Sequence, residues 1–178
     1  ARPTLITLAM GGAVRSAIGD MADIATVVKW PNDVLVNGKK IAGVLTEEGK
    51  RPDGRPCWVV GVGVNVNGSR ADLTGELARS ATTISAESGR ETSREELLAR
   101  VLFAFEEQYG AMQRGELDEI LRWLRRQMGG MGSAVRALSR GQVVEGAAAD
   151  IDDDGALVIR TSHGALTRVE AGDDVTWL

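Results

Sequence analysis

The segment KWPNDVLVNGKKIAGVL, Lys29–Leu45, decides how this chain is read. Thr26–Trp30 and Asp33–Asn37 read as strands around a Pro-Asn turn in which Pro31 fixes the backbone. Asn37-Gly38 supplies the positive φ angles that a tight hairpin turn needs, and Ile41–Glu47 reads as the returning strand. Lys29 ends a strand that reads as buried. Lys40 follows Asp33 by seven residues, so a hairpin centred on Asn37-Gly38 brings the two near each other, close to cross-strand partners. A lysine held beside a carboxylate at a sheet surface is either a structural ion pair or a cation positioned for an anionic substrate. Exposed pairs of this kind contribute under about 1 kcal/mol, and spacing alone favours the structural reading.

Cys57–Val66 reads as a long strand carrying GVGVN at 61–65. Gly61 and Gly63 lie two apart and so share one face. Glycine weakens a strand, so a pair on one face points to something approaching the backbone closely. That neighbour is either a ligand or a tryptophan ring, Trp30 or Trp58. The pattern is not a dinucleotide fingerprint, because the third glycine and the following helix are missing. Asn65 stands just beyond, where an amide can read a base edge with paired donor and acceptor or can simply end the strand.

Composition narrows the chemistry. The 178 residues are 43% hydrophobic and 26% charged with mixed signs, as in an ordinary globular chain of one domain, or one domain plus a small appendage. A net charge of −4 argues against a broad nucleic-acid-binding face. Cys57 is the single cysteine, in the apolar run CWVVGVGV, and reads as a buried, inert thiol. His163 is the single histidine, in the turn-like TSHG, and reads as a surface residue. A zinc site, a Ser–His–Asp triad or a Cys–His dyad would each depend on that one residue. Chemistry is thereby pushed toward lysines, carboxylates and backbone amides. No apolar run reaches membrane-spanning length, and LITLAMGG lacks the charged leader and cleavage site of a signal peptide. The expected location is the cytoplasm, with neither membrane nor nucleic acid as partner.

Outward from the hairpin, Thr4–Asp20 reads as a buried helix whose Gly11, Gly12 and Ala13 allow close backbone contact. The stretch GKRPDGRP at 49–56 reads as a loop, and Gly68–Ser80 as a polar, mobile loop. Ser93 and Glu96 read as a capping box opening a helix through Gln113, and Leu117–Met128 as a second helix. Gly129, Gly130 and Gly132 mark a boundary. Beyond it, short strands separated by DDDG and SHG make a small all-β module of roughly 45 residues, too small to stand alone and expected to pack on the preceding part.

In order and spacing, KWPNDV, KKIAGVLTE and GVGVNVN resemble the central signatures of the biotin–protein ligase family. The helix RPTLITLAMGGAVRSAI resembles the family helix that follows its biotin-binding loop, and residues 133–178 resemble its C-terminal SH3-like module. The resemblance implies an α+β fold: a mixed or antiparallel sheet with flanking helices of the class II synthetase-like type, incomplete at its N-terminus, over 1–130. An SH3-like β-barrel follows over 131–178. It implies ATP-dependent attachment of biotin to a lysine of a biotin carboxyl carrier protein through biotinyl-5′-AMP. Magnesium would accompany ATP, and no metal site of the protein's own is expected. A homodimer is compatible with the sequence.

By motif position, Lys40 would be the central cation, meeting the biotin carboxylate and the α-phosphate. Asp33 would sit beside the acyl-adenylate and orient the incoming lysine or help take its proton. Asn65 would read adenine, Gly61 and Gly63 would let the strand lie against the ligand, and Gly43 and Leu45 would line the biotin side. Asn32 would join this binding set, with Lys29 secondary, supporting the phosphate field. The 178 residues hold no Gly-Arg-rich phosphate-wrapping loop; Arg114-Gly115 and Arg140-Gly141 lie in the wrong places. The DNA-binding winged helix of repressor-type members is absent as well. The chain alone is therefore expected to present the adenylate and carboxylate side without the biotin clamp. Two other readings compete: a catalytically incomplete, ligase-like binding or scaffold module, and a relative of lipoate ligases or octanoyl transferases. The C-terminal β module and the KIAGVL strand argue against the latter.

Overall fold

The computed structural model describes residues 2–139, 141–171 and 174–178, which leaves Arg140 of the second Arg-Gly pair outside the described residues. Helix α1, Pro3–Ala22, starts on a proline whose fixed φ suits the first helical turn, and it is buried on most faces. Its small residues do what the sequence indicates. Gly11 lies against Val28, and Gly12 lets the Trp123 ring approach the helix.

Four antiparallel strands follow: β1 Val27–Lys29, β2 Asp33–Val36, β3 Lys39–Lys50 and β4 Pro56–Val64, hydrogen-bonded in that order. The stretch read as a loop over 49–56 is corrected. Gly49 pairs with Cys57 and Lys50 with Pro56, so β3 and β4 form a long hairpin closed by residues 51–55. Pro56 is tolerated there because it opens its strand. Short helices α2, Leu77–Ser80, and α3, Ile84–Ser88, precede α4, Arg94–Arg114, and α5, Leu117–Gln127. Ser93 caps α4 through its side chain. Glu96 does not complete the expected capping box, because its carboxylate pairs with Arg100 one turn on.

The chain ends in a second antiparallel sheet: β5 Ala134–Ser139, β6 Gln142–Ile151, β7 Leu157–Thr161, β8 Leu166–Val169 and β9 Asp174–Trp177, in the order β8-β7-β6-β5-β9. It packs on the preceding part as its size requires. One core cluster joins Leu8, Val28, Trp30 and Leu124 to Val135, Leu157 and Ile159. A second lies between α1 and the first sheet, with Val14, Ile18, Val34, Ile41 and Ile84. Cys57 is free and half-buried, less enclosed than the apolar run suggests, and His163 is exposed in its turn. No helix among the described residues is long and apolar enough to cross a membrane.

The β6–β7 turn at Asp152–Ala156 is pinned by one carboxylate. Asp152 Oδ1 accepts the amides of Asp154 and Ala156 at 2.9 Å each, and Oδ2 accepts Arg168 Nε at 2.6 Å. Partial burial pushes the Asp152 carboxyl upward, but the Arg168 guanidinium and the two amides outweigh it and hold the group below its ordinary value. A depressed folded pKa contributes stability that is fully present above the unfolded pKa and lost as pH falls through the folded one. Thermal unfolding is therefore expected to lose an Asp152-dependent increment below about pH 4. Comparison with Asp152→Asn checks this: the variant should melt lower at neutral pH, with the gap closing toward pH 2.

Candidate functional site

The β2–β3 hairpin turns on Asn37 (φ +50°) and Gly38 (φ +76°). Its register is not the regular one that spacing implies. Asp33 pairs with Gly43 and Val34 with Ala42, after which the ladder shifts and Leu35 pairs with Lys40. Ile41 is the extra residue of a β-bulge. In an unbroken strand, residues 40 and 43 would point to opposite faces; the bulge places them on one. It also turns both Ile41 and Ala42 into the core, where they are 0% and 2% exposed. Lys40 is thus left on the open face of the sheet.

Asp33 and Lys40 stand near each other, as the spacing indicates, with Lys40 paired to Leu35 and Asp33 to Gly43 in the ladder. They meet diagonally: Lys40 Nζ forms an ion pair with Asp33 Oδ1, a buried carboxylate oxygen. Gly43 makes the diagonal possible. A Cβ at position 43 would lie 2.9 Å from Lys40 Cε and 3.5 Å from Asp33 Oδ1. The two side chains are 47% and 26% exposed, so the pair adds little to stability, and the ammonium retains a face open to a ligand.

Strand β4 continues this open face. Gly63 pairs with Gly43, and Gly61 with Leu45. The two readings of the glycine pair are now distinguishable. A Cβ at Gly63 would meet nothing within 4 Å, and one at Gly61 only the Leu45 carbonyl at 3.7 Å. No tryptophan ring packs there: Trp30 is buried and bonded to Gly155, and Trp58 lines a separate pocket with Leu5 and Tyr109. The glycines instead floor a cavity of about 700 Å³. Asn32, Lys40, Gly43, Leu45, Gly61, Gly63 and Asn65 all line it. Asp33 joins them through its ion pair with Lys40. Lys29 does not line the cavity, although it pairs with Asp33 across β1 and β2.

Two of these side chains are held by backbone bonds. Asn32 Nδ2 donates to the Val44 carbonyl at 3.0 Å while the Asn32 carbonyl accepts the Val44 amide at 2.9 Å. Asn65 Nδ2 donates to the Thr82 carbonyl at 3.0 Å. The segment carrying Thr82 was not legible as part of the site. Gly68–Ser80, read as a mobile loop, contains a 3-10 turn at Arg70–Asp72 and helix α2. Leu77 and Ala81 form one side of the cavity, fastened to β3 by the Thr82 amide bonding the Lys40 carbonyl at 3.0 Å. The only sequence signal was the short apolar and β-branched run Ala81–Ile84. No group of three or more His, Cys, Asp or Glu side chains placed to hold a metal ion occurs among the described residues.

Residues 3–67 match the family model for the Biotin/lipoate A/B protein ligase family, and residues 130–173 match that for the Biotin protein ligase C terminal domain. The bifunctional ligase/repressor BirA of Bacillus subtilis is 36% identical over 160 residues, which is 89% of this chain and 49% of that protein. A biotin–[acetyl-CoA-carboxylase] ligase of Mycobacterium tuberculosis is 33% identical over 174 residues, 96% of this chain and 61% of that one. The chain thus spans about half the length of the BirA relative. The structure of a biotin protein ligase from Aquifex aeolicus in complex with biotin and ATP superposes with a TM-score of 0.83 at 25% identity, covering 98% of this chain and 72% of that one.

Proposed function

This chain belongs to the biotin protein ligase family, and on that premise we propose that its glycine-floored cavity binds biotinyl-5′-adenylate during ATP-dependent transfer of biotin to a carrier-protein lysine. In the first step a biotin carboxylate oxygen bonds to the α-phosphorus of ATP as the bond to the β-phosphate oxygen breaks, releasing pyrophosphate. In the second, the ε-amine of the acceptor lysine attacks the acyl carbon and AMP leaves. The observation that carries this reading is the bulge that places Lys40 over Gly43, on the same face as Gly61 and Gly63.

Charge accumulates on the phosphoryl oxygens in the first step, and the Lys40 ammonium, already held by Asp33, stabilises it without reorganisation. The glycine backbone of β4 lets the adenylate lie flat, with Asn65 at the adenine end and Gly43 and Leu45 toward biotin. One Nδ2 hydrogen of Asn65 goes to the Thr82 carbonyl, and its side-chain Oδ1 accepts from the adenine amino group. Asp33 is placed beside the acyl carbon to orient the acceptor amine or take its proton. Lys29 acts from outside the cavity, adding to the positive field. Magnesium is expected to arrive on the ATP phosphates: Asp33, the carboxylate beside the cavity, has its inner oxygen on Lys40, and no residue set among the described residues builds a metal cage.

Incubation with ATP, an acceptor carrier domain and either labelled biotin or labelled lipoate tests the reading. Transfer of biotin and not lipoate is expected, in line with the C-terminal match. The residues assembled here form the adenylate and carboxylate wall, without a Gly-Arg-rich run to clamp the phosphates. Calorimetric titration with biotin alone should therefore give binding weaker than micromolar. Micromolar or tighter binding would show that the biotin clamp is already present.

A further inference from the structure

The indole of Trp30 joins the second sheet to the turn that carries the site. Trp30 is 1% exposed, and its Nε1 donates a buried 2.9 Å hydrogen bond to the carbonyl of Gly155, 125 residues away in the chain. The acceptor is itself fixed. Gly155 has a φ of +85°, and a Cβ there would lie 3.0 Å from the Leu5 amide nitrogen and 3.2 Å from the Thr4 carbonyl carbon. The β6–β7 turn is thus wedged against the first turn of α1, in a conformation that favours glycine. Its remaining freedom is taken by Asp152, which binds two amides of the turn and the Arg168 guanidinium.

On the other side, the segment Trp30-Pro31-Asn32 is fastened to β3 by the paired bonds between Asn32 and Val44. Asn32 lines the cavity, and the next residue, Asp33, holds Lys40. Packing alone would be served by any large apolar ring. The indole adds a direction, because its single donor has a buried acceptor. Loss of that donor leaves the Gly155 carbonyl unpaired in the core, which favours a shift of the turn over toleration of the gap.

We propose that Trp30 is a positioning residue: through its bond to Gly155, the second sheet sets where Asn32 and Asp33 stand, and through Asp33 where Lys40 stands. The kinetic test rests on the function proposed above; the spectroscopic test does not. Trp30→Phe removes the donor and keeps an aromatic ring. Asp152→Ala loosens the turn from outside, and none of the Asp152 hydrogen bonds reaches Trp30 or β3. Ile159→Val, in the same core, serves as a control for loss of stability without loss of the link.

In the full chain, at a temperature where all variants are folded, Trp30→Phe should lower kcat for adenylate formation about ten-fold and Asp152→Ala about three-fold. KM for ATP should stay within two-fold, because a displaced Lys40 fails chiefly the transition state. Ile159→Val should leave kcat unchanged. In NMR spectra without substrates, Asp152→Ala should shift the Val44 amide and the Asn32 side-chain amide, while Ile159→Val should not. Unmoved Val44 and Asn32 resonances in Asp152→Ala would overturn the proposal, as would equal losses of kcat in Ile159→Val and Trp30→Phe. If the parent protein makes no adenylate, the function proposed above fails, and the resonances alone decide the link.

Discussion

Lys40→Ala is expected to lower the rate of biotinyl-adenylate formation by about 10²–10³-fold, the loss typical of removing one preorganised charge-stabilising donor. The fold should survive. The ion pair with Asp33 is half open to solvent, and truncation admits water to the carboxylate it leaves behind, so stability should change by no more than about 1 kcal/mol. The two readings left open for this pair thus separate cleanly: a structural pair would cost little activity, a positioned cation nearly all of it. Lys40→Arg should restore little. The lysine stem lies so close over Gly43 that a Cβ there would come within 2.9 Å of its Cε, and a planar guanidinium does not fit that gap. Pyrophosphate release under saturating ATP and biotin, alongside thermal unfolding, measures both quantities.

Gly63→Val should produce the opposite separation of stability from function by different means. A Cβ at this position meets nothing within 4 Å, and a β-branched residue suits a strand, so the variant should be at least as stable as the parent. Replacing a strand glycine alone gains about 0.5–1 kcal/mol. The added methyl groups project into the cavity where the adenylate is proposed to lie against the backbone. Overpacking of that order costs about 1–3 kcal/mol, equivalent to a 5- to 150-fold loss in affinity. Titration with a non-hydrolysable analogue of biotinyl-5′-adenylate should show weakening by about 100-fold, with an unchanged or raised melting temperature. A variant that lost stability together with binding would place Gly63 in the packing of the sheet.

Much of this was legible in the sequence, for identifiable reasons. The Asn37-Gly38 turn declares itself by residue type, because few other pairs adopt two positive φ angles in succession. Helices α1, α4 and α5 declare themselves by apolar spacing, and α4 also by Ser93 at its N-cap; the short α2 and α3 do not. The bulge at Ile41 was not legible. Nothing local marks it; it exists because Ile41 and Ala42 both find places in the core beside Val34 and Ile84. Without it, Lys40 and Gly43 would point to opposite faces of β3; with it, the lysine reaches the Asp33 carboxylate diagonally across that glycine. GVGV could not be resolved between ligand and tryptophan, since where a ring packs is a tertiary fact. Trp30 found its acceptor 125 residues away, and Leu77 came to the site from a segment that composition marked only as a polar loop.

The central claim is that the open face around Lys40 is where the adenylate binds. Its most direct measurement is an amide NMR titration of the full chain with the non-hydrolysable adenylate analogue. The account predicts the largest shifts at Gly43, Gly61, Gly63 and Asn65, with those of Gly43, Gly61 and Asn65 needing about 100-fold more analogue in Gly63→Val. Shifts centred instead on the pocket lined by Leu5, Trp58 and Tyr109, or no shifts at saturating analogue, would contradict it.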